Sequence, residues 1–78
     1  MNWQERLSMD PLVCKGRVCV KGTRIMASVV LDNLAADLTP EQITHSYPPL
    51  THEDIQACVA YAAALVHEEV FPLLGAPA

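Results

Sequence analysis

After Arg24 this 78-residue sequence contains neither lysine nor arginine. Everything beyond that point lacks a side chain that stays cationic at neutral pH, which argues against it as the main phosphate-binding part. Charge is sparse overall, at 18% of residues against 51% hydrophobic ones. So apolar a composition excludes the disordered class. The longest apolar run, Ala57 to Val66, is ten residues, far short of the roughly 20 that cross a bilayer. The first residues, Met1 to Arg6, lack the continuous apolar stretch of a secretory leader. Three cysteines are too few and too odd in number for a disulfide framework. The expectation is a cytoplasmic protein with reduced thiols and no membrane segment.

The charge that is present is unevenly placed. Residues 1–24 hold all five basic side chains (Arg6, Lys15, Arg17, Lys21, Arg24) and two acids (Glu5, Asp10), a net of +3. Residues 25–78 hold seven acids and no base, a net of −7. A partner bearing phosphates should prefer the first segment and a basic protein the second; two plainly solvated faces are the bland alternative. A single domain of this length buries about 60–65% of its unfolded surface. The high apolar load then points to some surface covered by another chain.

Residues 8–26 read as an extended β-ribbon. Asp10-Pro11 marks a turn or strand boundary. Leu12-Val13-Cys14 and Val18-Cys19-Val20 are β-type runs about a reversal at Lys15-Gly16-Arg17, and Lys21-Gly22-Thr23 ends the second. Two strands this short are unstable by themselves and need a helix or a second ribbon. From Ala27 the period becomes helical: Val29, Val30, Leu34 and Leu38 recur at steps of three and four, predicting a helix over Ser28 to Asp37. Thr39-Pro40-Glu41-Gln42 is a capping box with proline at the first helical position, and it starts a short helix over Pro40 to Ser46. Tyr47-Pro48-Pro49-Leu50 interrupts it. Thr51 then caps a third helix, His52 to Glu69, whose apolar stripe is Ile55, Cys58, Val59, Ala62, Leu65 and Val66. The fold class is mainly α: a short N-terminal β-ribbon before a three-helix, helix-turn-helix, homeodomain-like or winged-helix-like domain over 27–70, with a tail over 71–78.

The segment from Asp10 to Ile25, with its Asp10-Pro11, its Gly16 turn and its Gly22-Thr23-Arg24-Ile25, resembles the opening of domain-of-unknown-function family 433. The likeness continues through Leu31-Asp32-Asn33-Leu34-Ala35, Leu38-Thr39-Pro40-Glu41-Gln42-Ile43, Tyr47 to Ala57, and Tyr61-Ala62, so it covers about residues 8–66. Three positions depart from the family pattern: Lys15 replaces a second glycine, and Val18 and Met26 replace prolines. The resemblance implies a winged-helix or homeodomain-like fold. It also implies the antitoxin half of a type II toxin–antitoxin pair, neutralising a PIN-like nuclease toxin.

Catalytic chemistry finds little to build on. Cys14-x4-Cys19 with His45 and His52 has the wrong spacing for zinc; Cys58 sits on an apolar stripe as an inert buried thiol; Glu53-Asp54 and Glu68-Glu69 are helix-end acids rather than a dyad; and Lys21-Gly22-Thr23 lacks the preceding glycine of a phosphate loop. No catalytic residue, metal ligand or cofactor is expected. For nucleic acid, the third helix offers His52 and Gln56 to base edges, while Glu53 and Asp54 oppose phosphates. Lys15, Arg17, Lys21 and Arg24 are the better phosphate contacts, and an ion pair from Arg24 to Asp32 or Asp37 is the structural alternative. Glu68, Glu69, Phe71, Leu73 and Leu74 form the candidate surface for a basic nuclease, against a frayed terminus. The expected assembly is a homodimer through the β-ribbon that contacts promoter DNA. A stand-alone DNA-binding regulator and a plain self-association module are the alternatives.

Overall fold

The computed structural model describes residues 2–10, 12 and 16–68. A turn of 3-10 helix, Trp3–Glu5, comes first, and its free amides are met by Asn2, whose Oδ1 accepts from Gln4 N–H at 3.2 Å. Two strands follow, β1 (Leu7–Ser8) and β2 (Cys19–Val20), paired antiparallel with Leu7 opposite Val20 and Ser8 opposite Cys19. Three helices follow among the described residues: α1 (Ala27–Ala35), α2 (Pro40–Ser46) and α3 (His52–Glu68). A mainly helical domain with a short N-terminal β-ribbon is therefore the architecture. Among the described residues, no helix is long and apolar enough to cross a membrane.

The ribbon differs from the sequence expectation in its first strand. The partner of Cys19–Val20 is Leu7–Ser8 rather than the run beginning at Leu12; Val13, Cys14 and Lys15 lie outside the described residues. Burial explains the choice. Leu7 is 7% exposed in the core, whereas Leu12 is 91% exposed, so the Leu7 register puts an apolar side chain beneath the sheet. Residues before Leu7 fold into the 3-10 turn, which lays Trp3 against Tyr61 of α3 with ring centroids 5.4 Å apart and planes tilted by 52°.

On its other side β2 meets the chain again. Cys19 bridges to Met26, Val20 N–H donates to Ile25 O at 2.9 Å, and Ala27 N–H donates to Val18 O at 3.0 Å. Both edges of Cys19–Val20 are thus occupied within the chain. Val18 and Met26, where the resemblance leads one to expect prolines, join these bonds and the first turn of α1 through their carbonyl oxygens. A proline would offer the same acceptors.

α1 begins one residue before the expected start and ends two residues early. The reason is a Schellman closure: Leu38 N–H reaches back to Asn33 O at 3.1 Å and Asp37 N–H to Leu34 O at 3.0 Å, with Asp37 at φ 71°. α2 has the expected bounds because its signal is local. Thr39 Oγ1 accepts from Gln42 N–H at 3.2 Å, Gln42 Oε1 accepts from Thr39 N–H at 2.8 Å, and Pro40 occupies the first turn.

The core lies where ribbon and helices converge. Leu7 and Val20 come from the sheet, Ala27 and Val30 from α1, Ile43 from α2, Leu50 from the interhelical turn, and Ile55, Ala57 and Cys58 from α3. Each fully buried aliphatic side chain here, such as Val30 or Ile43, contributes roughly 1.5–3 kcal/mol. The expected stripe on α3 holds only in part. Ile55 and Cys58 are buried, but Val59, Leu65 and Val66 are exposed, and Ala57 is fully buried in their stead. α3 runs on past the elements that could cover it.

Candidate nucleic-acid interface

Two of the ribbon's basic side chains, Lys21 and Arg24, are presented by one tight turn. Val20 O accepts from both Thr23 N–H (3.0 Å) and Thr23 Oγ1 (2.8 Å), and the same hydroxyl accepts from Ile25 N–H at 3.0 Å. Gly22 sits at φ 83°, a conformation that L side chains avoid, although the space around it is open. The glycine is therefore required for its backbone and not for clearance. This is the physical content of Gly22-Thr23-Arg24-Ile25: glycine permits the reversal, and threonine ties its two ends. Lys21 and Arg24, both exposed, consequently line one shallow surface groove of about 420 Å3 with Ser8, Gly22 and Thr23.

A second feature joins the ribbon to α3. Lys21 N–H donates to Arg6 O at 2.8 Å. The Arg6 side chain turns to the start of α3, where Nη1 donates to Asp54 Oδ1 at 3.1 Å. Asp54 is buried and fully used: its Oδ2 accepts from Thr51 N–H at 2.9 Å, and its own N–H donates to Thr51 Oγ1 at 3.2 Å. It is the reciprocal half of a capping box that Arg6 neutralises. By sequence alone Asp54 is a first-turn acid opposing phosphates, and nothing local links it to Arg6, 48 residues away. The spacing Thr51-x-x-Asp54 was the signal that could have identified the box. Lys21 lies beside this ion pair, lining a groove with Glu5, Arg6 and Asp54.

The other predicted contacts fall elsewhere. His52 and Gln56 are exposed, one turn apart on α3, and share a shallow apolar groove of about 450 Å3 with Leu34, Pro40, Val59 and Ala63. Arg17 is exposed on a different groove between α1 and α3, beside Val18, Ser28, Leu31, Tyr61 and Leu65. The structure thus brings Lys21 together with Arg24, and separately His52 with Gln56, but does not gather these pairs and Arg17 into one groove. Lys15, Glu69, Phe71, Leu73 and Leu74 lie outside the described residues, and Glu68 closes α3.

Cys58 is fully buried. Burial, helped by the negative charge of Asp54, pushes its thiol up to about 11, so at neutral pH it is protonated and a poor nucleophile. Among the described residues, no three His, Cys, Asp or Glu side chains cluster in a way that could hold a metal ion.

A family model described as a protein of unknown function, DUF433, matches residues 7–62, from β1 to the middle of α3. No curated protein and no solved structure matches the chain.

Proposed function

The chain belongs to DUF433, a family of proteins of unknown function, and on that footing we propose that it is a non-enzymatic, cytoplasmic, antitoxin-like regulator. It neutralises a nuclease partner through its acidic helical part and contacts DNA through its ribbon. The observation that carries this reading is the division of charge on the folded surface. Lys21 and Arg24 share one groove at the ribbon turn, while Asp32, Asp37, Glu41 and Glu53 are all exposed along the helices, where no lysine or arginine intervenes. A nuclease that holds RNA must present a basic surface, and an acidic helical face complements it. The segment Glu68 to Leu74 extends the same chemistry with Glu68, Glu69, Phe71, Leu73 and Leu74.

On the DNA side Lys21 and Arg24 supply phosphate contacts, with His52 and Gln56 as candidate base readers on the second helix of the α2–turn–α3 unit. A stand-alone DNA-binding regulator is favoured by one specific observation. Asp54 is held by Arg6, so Glu53 is left as the acid that the start of α3 presents to solvent.

The test is a titration of the chain against a small nuclease encoded beside it, read as loss of RNA cleavage. Glu41→Lys/Glu53→Lys should weaken inhibition at least about tenfold, and removal of residues 70–78 should weaken it further. Titration of promoter DNA supplies the other arm: Lys21→Ala/Arg24→Ala should lower affinity and flatten the slope of log K against log salt by about 2. Absence of both inhibition and DNA affinity at low salt would refute the proposal and leave a self-association module.

A further inference from the structure

Seven residues make up the outward face of α3: His52, Gln56, Val59, Ala60, Ala63, Val66 and His67. They recur at helical steps of three, four and seven, so they share one side. All are exposed except half-buried Ala60. Over about 22 Å of helix, this face carries no lysine, arginine, aspartate or glutamate. Val59 and Val66 are 46% and 58% exposed, and between them Ala60 and Ala63 keep the surface flat. Leu34 and Pro40 wall it on one side, forming the apolar groove already described. A face free of lysine, arginine, aspartate and glutamate, with Val59, Ala60 and Ala63 at its centre, is a surface suited to a cover.

We propose that this face seats a second copy of the same chain, with the two α3 helices packed antiparallel about a twofold axis between Val59 and Ala60. The inference goes beyond the antitoxin reading and alters one part of it: His52 and Gln56, lying in the seam, are withdrawn from base edges, and DNA contact falls to Lys21 and Arg24. Charge selects the occupant. Residues 25–78 carry a net charge of −7, so two copies repel each other wherever their acids meet, and α3's outward face is where none would meet across the axis. A basic nuclease, in contrast, gains nothing from a face without acids and is better matched by Asp32, Asp37, Glu41 and Glu53.

Geometry agrees. In the antiparallel arrangement Val59 faces the partner's Ala60 and Gln56 faces the partner's Ala63, so near the axis large side chains meet small ones, as close helix packing requires, while His52 faces the partner's His67 at the ends. The contact is self-complementary, as a twofold dimer demands. The ribbon is a weaker seat than expected, because both edges of Cys19–Val20 are already used within the chain.

Light scattering of the full-length chain, over a concentration series, tests the proposal. The wild type should be a dimer. Ala63→Glu, an exposed position with a good helix former substituted, should raise the dimer dissociation constant at least about a hundredfold by burying a carboxylate, with unchanged helical circular dichroism. Adding Gln56→Lys to Ala63→Glu should restore the dimer, since each new lysine then faces the partner's new glutamate. A monomeric wild type would give the face to the C-terminal segment or to a foreign protein and overturn the proposal. A dimer indifferent to Ala63→Glu would overturn it too, and failure of the double variant to recover would overturn the antiparallel seat.

Discussion

Replacing Asp54 by alanine should destabilise the fold by about 2 kcal/mol, more than a first-turn acid on a helix normally does. The carboxylate has two partners. Its Oδ2 closes the capping box on Thr51 N–H at 2.9 Å, and loss of such a cap costs about 1 kcal/mol. Its Oδ1 receives Arg6 Nη1 at 3.1 Å, with Asp54 itself buried; a hydrogen bond to a charged group, partly exposed, adds about 1 kcal/mol. The larger penalty of an orphaned buried charge does not arise, because the Arg6 side chain is 39% exposed and can turn to water.

Urea unfolding followed by circular dichroism at one fixed protein concentration measures the effect. With a slope of about 1 kcal/mol per molar for so small a chain, the midpoint should fall by about 2 M. Thr51→Ala should lose about 1 kcal/mol and Arg6→Ala somewhat less. A double-mutant cycle between Arg6 and Asp54 should return a coupling of about 0.5–1 kcal/mol that shrinks in about 0.5 M salt. A negligible midpoint shift for Asp54→Ala, or zero coupling in the cycle, would refute the assignment of Asp54 as both cap and ion-pair partner.

Asp37→Gly should stabilise the protein by about 0.5–1 kcal/mol in the same assay, because Asp37 holds φ 71° at the end of α1 and its charge lies against the negative helix terminus; a loss of stability would contradict the Schellman closure. Ile43→Ala should cost about 2–5 kcal/mol, as Ile43 is completely buried under α2, and a cost under 1 kcal/mol would place it outside the core. The Cys58 thiol, raised from 9.0 to about 11 by burial and by Asp54, ionises in the unfolded chain before it does so in the fold. Stability should therefore fall as pH rises from about 9 to about 11, by about 1–3 kcal/mol. Cys58→Ala should remove that part of the slope, and an identical alkaline slope in the variant would show that other groups cause it.

How much could be read from the sequence depended on how local each signal was. Thr39-Pro40-Glu41-Gln42 predicts the start of α2 to the residue, because cap, proline and reciprocal glutamine act within one turn. The start of α3 was equally plain from Thr51, although Asp54 was recognised as an acid and not as the other half of the box. The end of α1 was missed because an aspartate, not a glycine, takes the left-handed position there. In the candidate interface Lys21 and Arg24 were found together, since the Gly22-Thr23 turn that joins them is local. Arg6, 48 residues from its partner, was not.

Capping chemistry, helical period and charge bookkeeping are properties of short stretches of chain. They determined three helices, their order, the break in the second strand at Lys21-Gly22-Thr23, and a basic first segment before an acid-rich remainder. Which strand pairs with Cys19–Val20, which half of α3's apolar stripe is buried, and that Arg6 neutralises Asp54 are questions of what lies opposite. Only the tertiary structure decided them. Leu7 displaced Leu12 because it alone reached the core, and Val59 and Val66 stayed exposed because this chain brings no described element to cover them.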